Sequence, residues 1–187
     1  MDRILLVRHA QAAAHDDADP ALSEVGARQA QALAARLRGE DIDELRHGPR
    51  RRARESAEIL AQGIGLDSRP TSLLEDRTPR PSADRWGDYP RHRWERLQQT
   101  PVQERDEDAA ALGRAWEELS ASGEPGTLLA VTHAFVVGAF VSAALGAPPA
   151  AWMQLPVAAA SLTELRIRPT GEWSVLAVSD VGHLVDL

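Results

Sequence analysis

Two histidines follow short apolar runs, at points where buried strands would end. Residues 3–7 form the first run and lead into Arg8 and His9, and residues 127–132 form the second and lead into His133. In open α/β sheets, ligands bind beyond the carboxyl ends of the strands. An imidazole can act there as a nucleophile or as a stabiliser of charge. The two histidines therefore predict a reactive site at one edge of a sheet.

A run of arginines adds an anion site to this pattern. Four of the five residues at 50–54 are arginine, and they lie where a helix is predicted to begin. A helix N-terminus attracts anions, and a guanidinium group can bind two phosphate oxygens at once. We expect Arg8 and Arg52 to hold a phosphoryl group while His9 attacks its phosphorus. The nearby guanidinium charges should lower the pKa of the attacking imidazole and keep it neutral. His133 would stabilise charge on the equatorial oxygens, and a carboxylic acid would protonate the leaving oxygen.

The elements that must position these residues alternate between strands and helices. Apolar runs predict strands over 3–7, 69–74, 127–132, 161–167 and 173–178. Helical spacing and end signals predict helices over 24–38, from Pro49 to about Gly65, 106–122 and 134–145. This alternation predicts an α/β fold: three α/β/α layers around a mostly parallel central sheet, with an antiparallel edge. The 187 residues suit a single domain.

Residues 76–108 are the least regular part of the chain. They contain four prolines, and Trp86, Tyr89 and Trp94 supply most of the segment's aromatic area. We expect this segment to be an excursion over the domain that borders the substrate entrance. The alternative is that these rings pack the excursion onto the domain. The other histidines in charged, loop-like surroundings are predicted to lie on the surface; they are His15, His47 and His92.

The composition excludes several classes of function. Cysteine is absent, which removes disulfides, thiolate nucleophiles and cysteine-ligated zinc. All 21 basic residues are arginine, so lysine-dependent chemistry is excluded as well. A net charge of −7 disfavours nucleic acid as a partner. No apolar run is long enough for a membrane span, no cluster suggests a metal site, and a cytoplasmic location is expected.

Taken in order, these features resemble the histidine phosphatase superfamily, in its phosphoglycerate-mutase-like branch. The similar segments span nearly the whole chain; they are residues 5–10 (LLVRHA), 19–30, 52–60, 132–134 (THA) and 182–184. The resemblance implies that His9 becomes phosphorylated and that Arg8, Arg52 and His133 hold the phosphoryl group, with no metal or other cofactor. It also places the proton donor at Glu75, with Asp76 as the alternative. A small phosphorylated substrate is implied.

Departures from the family pattern bear on the reaction. Ala10 and Ala134 stand where the family has glycine, and Gly48 stands where a serine is common. Residues 11–14 (QAAA) replace a run that is typical of the glycolytic mutases. We therefore expect a phosphatase, with a phosphoglycerate-type mutase and a noncatalytic phospho-ligand binding module as the alternatives.

Overall fold

Strands and helices alternate along the chain. The computed structural model describes residues 1–13, 18–121, 125–185 and 187. The strands are β1 (Arg3–Arg8), β2 (Glu44–His47), β3 (Ser68–Pro70), β4 (Thr78–Arg80), β5 (Arg105–Glu107), β6 (Thr127–Thr132), β7 (Leu162–Ile167) and β8 (Trp173–Asp180). The α-helices are α1 (Glu24–Arg36), α2 (Arg51–Ile64), α3 (Trp94–Gln98), α4 (Ala110–Ser120) and α5 (Ala134–Ala144).

Six of these strands form the central sheet, in the order β3-β2-β6-β1-β7-β8. The pairs β3–β2, β2–β6 and β6–β1 are parallel, whereas β7 and β8 are antiparallel to their neighbours. The prediction of a mostly parallel sheet with an antiparallel edge is confirmed. Its carboxyl edge is where β1 and β6 end side by side, with Arg8 opposite Thr132.

Helices cover both faces of the sheet, so the three predicted layers are present. Successive side chains of a strand point to opposite faces. In β1, Leu5 and Val7 pack with apolar residues of α1 and α2, whereas Ile4 and Leu6 pack with those of α4 and α5. β6 is buried at every position, which explains its continuous apolar sequence.

Some element boundaries differ from the sequence predictions. Pro49 is not the first residue of α2: the helix begins at Arg51, whose backbone N–H donates to both carboxylate oxygens of Asp19 at 2.9 and 3.1 Å. The predicted strand over 69–74 is instead β3 followed by a 3₁₀ turn at Ser72–Leu74. The Thr71 hydroxyl accepts a bond from the Leu73 N–H and starts that turn.

The excursion at 76–108 carries short regular elements. β4 and β5 form a separate parallel pair, and α3 lies between them with 3₁₀ turns at Ala83–Asp88, Arg91–Arg93 and Val102–Glu104. The helix predicted from residue 106 begins four residues later, because the Asp106 carboxylate accepts bonds from the backbone N–H groups of Ala111 and Leu112. Within the described ranges, no helix has the length and apolar character that a membrane crossing requires.

Candidate active site

The fold brings four of the predicted site residues together at the carboxyl edge of the sheet. The backbone N–H of His9 donates to Thr132 O at 2.8 Å, which continues the pairing of β1 with β6 past the strand ends. The ring centroids of His9 and His133 consequently lie 5.0 Å apart. Arg52, in the first turn of α2, places its Nε 3.3 Å from Nε2 of His9.

The hydrogen bonds of His9 fix its tautomer. Its Nδ1 lies 2.8 Å from the Ala10 carbonyl oxygen, which can only accept, so the proton of the neutral ring belongs on Nδ1. The lone pair is therefore on Nε2, the nitrogen that faces Arg52. His9 is only 8% exposed, and burial together with the charges of His133, Arg52 and Arg8 lowers its pKa to about 3. A neutral ring was also predicted from the sequence, but the main cause of the low pKa is burial and not the guanidinium charges.

Buried polar groups near His9 lack hydrogen-bond partners among the described residues. Nη1 of Arg8 donates to Val157 O at 2.6 Å, and this leaves its buried Nε without a hydrogen-bond partner among the described residues. Both ring nitrogens of His133 are likewise buried without a hydrogen-bond partner among the described residues, and the residue is 2% exposed. Burial and the charges of three arginines hold the pKa of His133 well below its usual value. Unsatisfied buried polar groups are costly, so an anion that bonded to them would stabilise the site.

The two candidate proton donors lie in different surroundings. Asp76 Oδ2 is 2.5 Å from Nη2 of Arg52 and 3.3 Å from Nδ1 of His133, without hydrogen-bond geometry at the histidine. Glu75 Oε1 instead accepts from Nε of Arg50 and from the backbone N–H of Asp76, both at 2.9 Å. Asp76 therefore lies among the residues predicted to hold a phosphoryl group, and Glu75 lies beside them.

Ser56 is a site residue that the sequence analysis missed. Its hydroxyl accepts a bond from the backbone N–H of Ala10 at 3.0 Å and donates to Arg52 O at 2.8 Å. One side chain thus ties the loop after His9 to the helix that carries Arg52. The signal was a serine on the apolar face of α2, next to the buried Ala57.

Gly48, where the resemblance suggested a lost serine, occupies a position with no room for a side chain. A Cβ atom added there would lie 2.2 Å from Leu74 O and 3.6 Å from Nε2 of His133. The Thr132 hydroxyl donates to the same carbonyl oxygen, so Leu74 cannot withdraw freely.

We therefore expect Gly48→Ala to displace the segment before Asp76. The variant should lose roughly 1–3 kcal/mol of unfolding free energy, as overpacked positions do, and most of its turnover. Urea unfolding and hydrolysis of p-nitrophenyl phosphate measure the two effects. Gly87→Ala is the matched control, because a Cβ at Gly87 meets nothing within 4 Å. Wild-type stability in Gly48→Ala would contradict the geometry.

The buried, neutral state of His9 predicts a loss of stability in acid. An unfolded chain protonates this residue near its ordinary pKa of 6.5, whereas the folded chain resists protonation until about pH 3. Between these values only the unfolded state gains the proton. Each unit of falling pH then costs about 1.4 kcal/mol of unfolding free energy, with no contribution above pH 6.5. In urea unfolding at several pH values, His9→Ala should lose less stability in acid than the wild type. The exposed His92→Ala should match the wild type, and equal slopes for all three proteins would contradict the prediction.

A cavity of about 750 Å³ opens beside Arg8 and Ala134. The excursion lines part of it, as predicted, but Trp86, Tyr89 and Trp94 are not among the lining residues. These rings pack with Leu97 and Trp152 in a small apolar cluster. The aromatic groups of the cavity wall are Phe135 and Trp152, which come from the start of α5 and from the 3₁₀ turn at Ala151–Gln154.

The prediction of a surface position is confirmed for one of the other histidines and wrong for another. His92 is exposed, as predicted. The prediction for His47 is wrong: it is 4% exposed, because β2 is an inner strand of the sheet, and its Nδ1 lies 2.8 Å from the Gly48 carbonyl oxygen. His15 lies outside the described residues.

Comparison with known proteins identifies the family of this chain. The family profile of the histidine phosphatase superfamily (branch 1) matches residues 4–181. The "Serine/threonine-protein phosphatase Pgam5, mitochondrial" of Caenorhabditis briggsae is 32% identical over 192 residues, which cover 97% of this chain and 64% of that protein. The corresponding Caenorhabditis elegans protein is 31% identical, over 97% of this chain and 63% of that protein. The chain thus spans a little under two thirds of the length of these relatives.

Solved structures show the same fold. A phosphoserine phosphatase from Entamoeba histolytica, in complex with 3-phosphoglyceric acid, superposes with a TM-score of 0.76 at 15% identity, covering 99% of this chain and 100% of that one. A mycobacterial glucosyl-3-phosphoglycerate phosphatase in complex with VO3 gives a TM-score of 0.71 at 25% identity, covering 95% of this chain and 98% of that one. With a family profile that matches nearly every residue, the chain belongs to branch 1 of the histidine phosphatase superfamily.

Proposed function

We propose that this chain hydrolyses phosphate monoesters through a phosphohistidine on Nε2 of His9. The observation that carries the proposal is the tautomer of His9, whose unprotonated nitrogen faces Arg52 beside unpartnered buried donors. In the first step, Nε2 forms a bond to phosphorus as the bond to the leaving oxygen breaks, and a carboxylic acid gives that oxygen a proton. In the second step, water attacks phosphorus, the N–P bond breaks, and the carboxylate takes a proton from the water.

The other residues of the site would stabilise the transferring phosphoryl group. Nε of Arg8 and the guanidinium of Arg52 are donors for its oxygens, and this arrangement suits charge that spreads over three equatorial positions. His133 can supply a further donor from either ring nitrogen. Asp76 now holds Arg52, and an entering phosphate would compete for that guanidinium.

We propose Asp76, the alternative of the sequence analysis, as the proton donor in place of Glu75. Its carboxylate lies within ion-pair distance of both Arg52 and His133, whereas Glu75 pairs with Arg50. Neighbouring side chains of an extended segment point to opposite sides, so only one of the pair should face the phosphoryl group.

A leaving-group comparison tests this assignment. Asp76→Asn should slow hydrolysis of an alkyl phosphate by roughly 10²-fold or more relative to p-nitrophenyl phosphate, whose leaving group needs little protonation. Glu75→Gln is the matched control and should slow both esters to a similar, smaller extent. If Glu75→Gln shows the selective loss and Asp76→Asn does not, the roles are exchanged and the original prediction holds.

Burst kinetics test the proposed activity itself. Mixing the protein with excess p-nitrophenyl phosphate should release p-nitrophenolate rapidly, up to one equivalent per site when the second step is slower, followed by steady release of inorganic phosphate. A mutase would pass the phosphoryl group to a phosphoglycerate acceptor in preference to water. A noncatalytic binding module would release nothing, and either result would overturn the proposal.

The cytoplasmic location expected from the sequence stays a prediction, and the relatives described above carry "mitochondrial" in their names.

A further inference from the structure

The cavity beside the candidate active site has walls of two kinds. One part is apolar, with Leu97, Phe135 and Trp152. The other part is charged and comes from the excursion, which contributes Arg93, Arg96 and Glu104. Because Arg8 also lines this cavity, a phosphate ester bound at His9 would extend its leaving group into it.

Among the residues that the structure describes, the three charged groups form no ion pairs. The arginines at the start of α2 are paired, Arg50 with Glu75 and Arg52 with Asp76. By contrast, no ion pair or side-chain hydrogen bond joins Arg93, Arg96 or Glu104 to another described residue. Charged groups that line a cavity without partners are candidates for recognition of a charged ligand.

An aromatic pair supports the guanidinium of Arg96 at this wall. Its Cζ lies 5.5 Å from the centre of the Phe135 ring, which makes an edge contact with Trp152 at a centroid distance of 5.0 Å. A cation over an aromatic face keeps its N–H groups free for an anion. This contact leaves the hydrogen-bond donors of the exposed Arg96 available beside the cavity.

Glu104 contributes the negative charge of the cavity wall. It directly precedes β5, whose pairing with β4 brings it next to the segment that carries Asp76. Burial and the charges of Asp76 and Glu75 raise the pKa of Glu104, against the opposite effect of Arg50 and Arg52. A bound phosphate would add further repulsion, whereas a cation bound to Glu104 would relieve it.

We propose that the preferred leaving group is zwitterionic, with a cationic group bound by Glu104 and an anionic group bound by Arg93 and Arg96. This inference rests on the proposed function, because it concerns the ester hydrolysed at His9. Small phosphate esters that carry both an ammonium and a carboxylate group belong to this class. An ester with only one of the two charges would bind either Glu104 or the two arginines, but not both.

Four substrates separate the contributions of the two charges. O-phosphoserine carries both charges, phosphoethanolamine only the cation, 3-phosphoglycerate only the anion, and p-nitrophenyl phosphate neither. Glu104→Gln should lower kcat/KM roughly tenfold for the two esters that contain an ammonium group. It should leave the other two unchanged or faster, because a negative charge near the phosphate is removed. Arg96→Gln should instead lower kcat/KM for the two esters that contain a carboxylate.

Two controls and the fourth substrate make the outcome decisive. Glu107→Gln and Arg91→Gln remove the same charges at positions of the excursion that do not line the cavity, and should leave all four rates near wild type. Equal losses of kcat/KM on all four substrates in Glu104→Gln would overturn the inference. Variant-to-wild-type ratios of kcat/KM that do not depend on the charge of the leaving group would overturn it as well. If the wild type hydrolyses none of the four esters, the proposed function fails; if it hydrolyses any of them, only the zwitterion preference is at stake.

Discussion

Replacing His9 by alanine is expected to lower kcat for p-nitrophenyl phosphate by on the order of 10⁴-fold or more, because Nε2 of His9 is the proposed acceptor of the phosphoryl group. The neighbouring His133, whose ring centroid lies 5.0 Å from that of His9, is assigned to the phosphoryl oxygens and not to phosphorus. Steady-state release of p-nitrophenolate measures the effect. Circular dichroism and thermal unfolding establish that the variant is folded.

A second histidine serves as the control for this loss. His92→Ala removes an imidazole from an exposed position of the excursion and should keep wild-type turnover. His9→Ala leaves the bond between Ala10 N–H and Ser56 in place, so the loop after β1 should hold its position. A folded His9→Ala variant that retained more than about a hundredth of wild-type kcat would show that His9 is not the nucleophile.

Replacing Arg52 by alanine should cost about 3 kcal/mol of transition-state stabilisation, or on the order of 10²-fold in kcat/KM. Arg52 is the guanidinium nearest to Nε2 of His9, at 3.3 Å, and it also holds Asp76. Its loss would remove a donor from the equatorial oxygens and leave a carboxylate facing the phosphate. Arg52→Lys should recover only part of the activity, because a single ammonium group cannot bind two oxygens at once.

Arg54 provides the matched control two residues further along α2. It pairs with Glu58 on an exposed face of the helix, at 3.6 Å. Arg54→Ala should therefore change kcat/KM by less than about twofold, since exposed ion pairs contribute little. Similar losses for Arg52→Ala and Arg54→Ala would mean that net charge near the site, and not the position of Arg52, governs the rate.

The sequence predicted the reactive edge of the sheet because it depends on strand order and chain direction. Both β1 and β6 are continuous apolar runs, and the residue that follows each is a histidine. The sequence did not predict that these two strands are neighbours; the structure pairs them in parallel, and this pairing places His9 beside His133. Arg52 could be chosen among its arginine neighbours by the family resemblance, and the structure brings it to Nε2 of His9.

The residues that the sequence left open or missed depend on side-chain direction. Glu75 and Asp76 are adjacent carboxylates, and only the turn at Ser72–Leu74 decides which one meets Arg52. Ser56 looks like any serine in a helix until the loop after His9 is seen to approach it. His47 was judged by its charged sequence neighbours, although the sheet buries it.

The irregular sequence of the excursion did not reveal which of its side chains line the cavity. Its tryptophans and its tyrosine predicted an aromatic entrance, because large rings are common in binding pockets. Trp86 and Trp94 instead contact each other, with centroids 5.6 Å apart, and hold the excursion together. The charged residues of the same segment line the cavity, and only the fold distinguishes the two sets.

The central claim is the covalent intermediate on His9, and one measurement tests it directly. The protein is mixed with p-nitrophenyl phosphate, quenched in alkali within the burst, digested, and analysed by peptide mass spectrometry under conditions that preserve N-linked phosphate. We predict a gain of one phosphoryl group on the peptide that contains His9, stable in base, labile in acid, and lost on longer incubation after substrate is exhausted. Turnover with no phosphorylated peptide within the burst, or with the phosphoryl group on another residue, would contradict the mechanism.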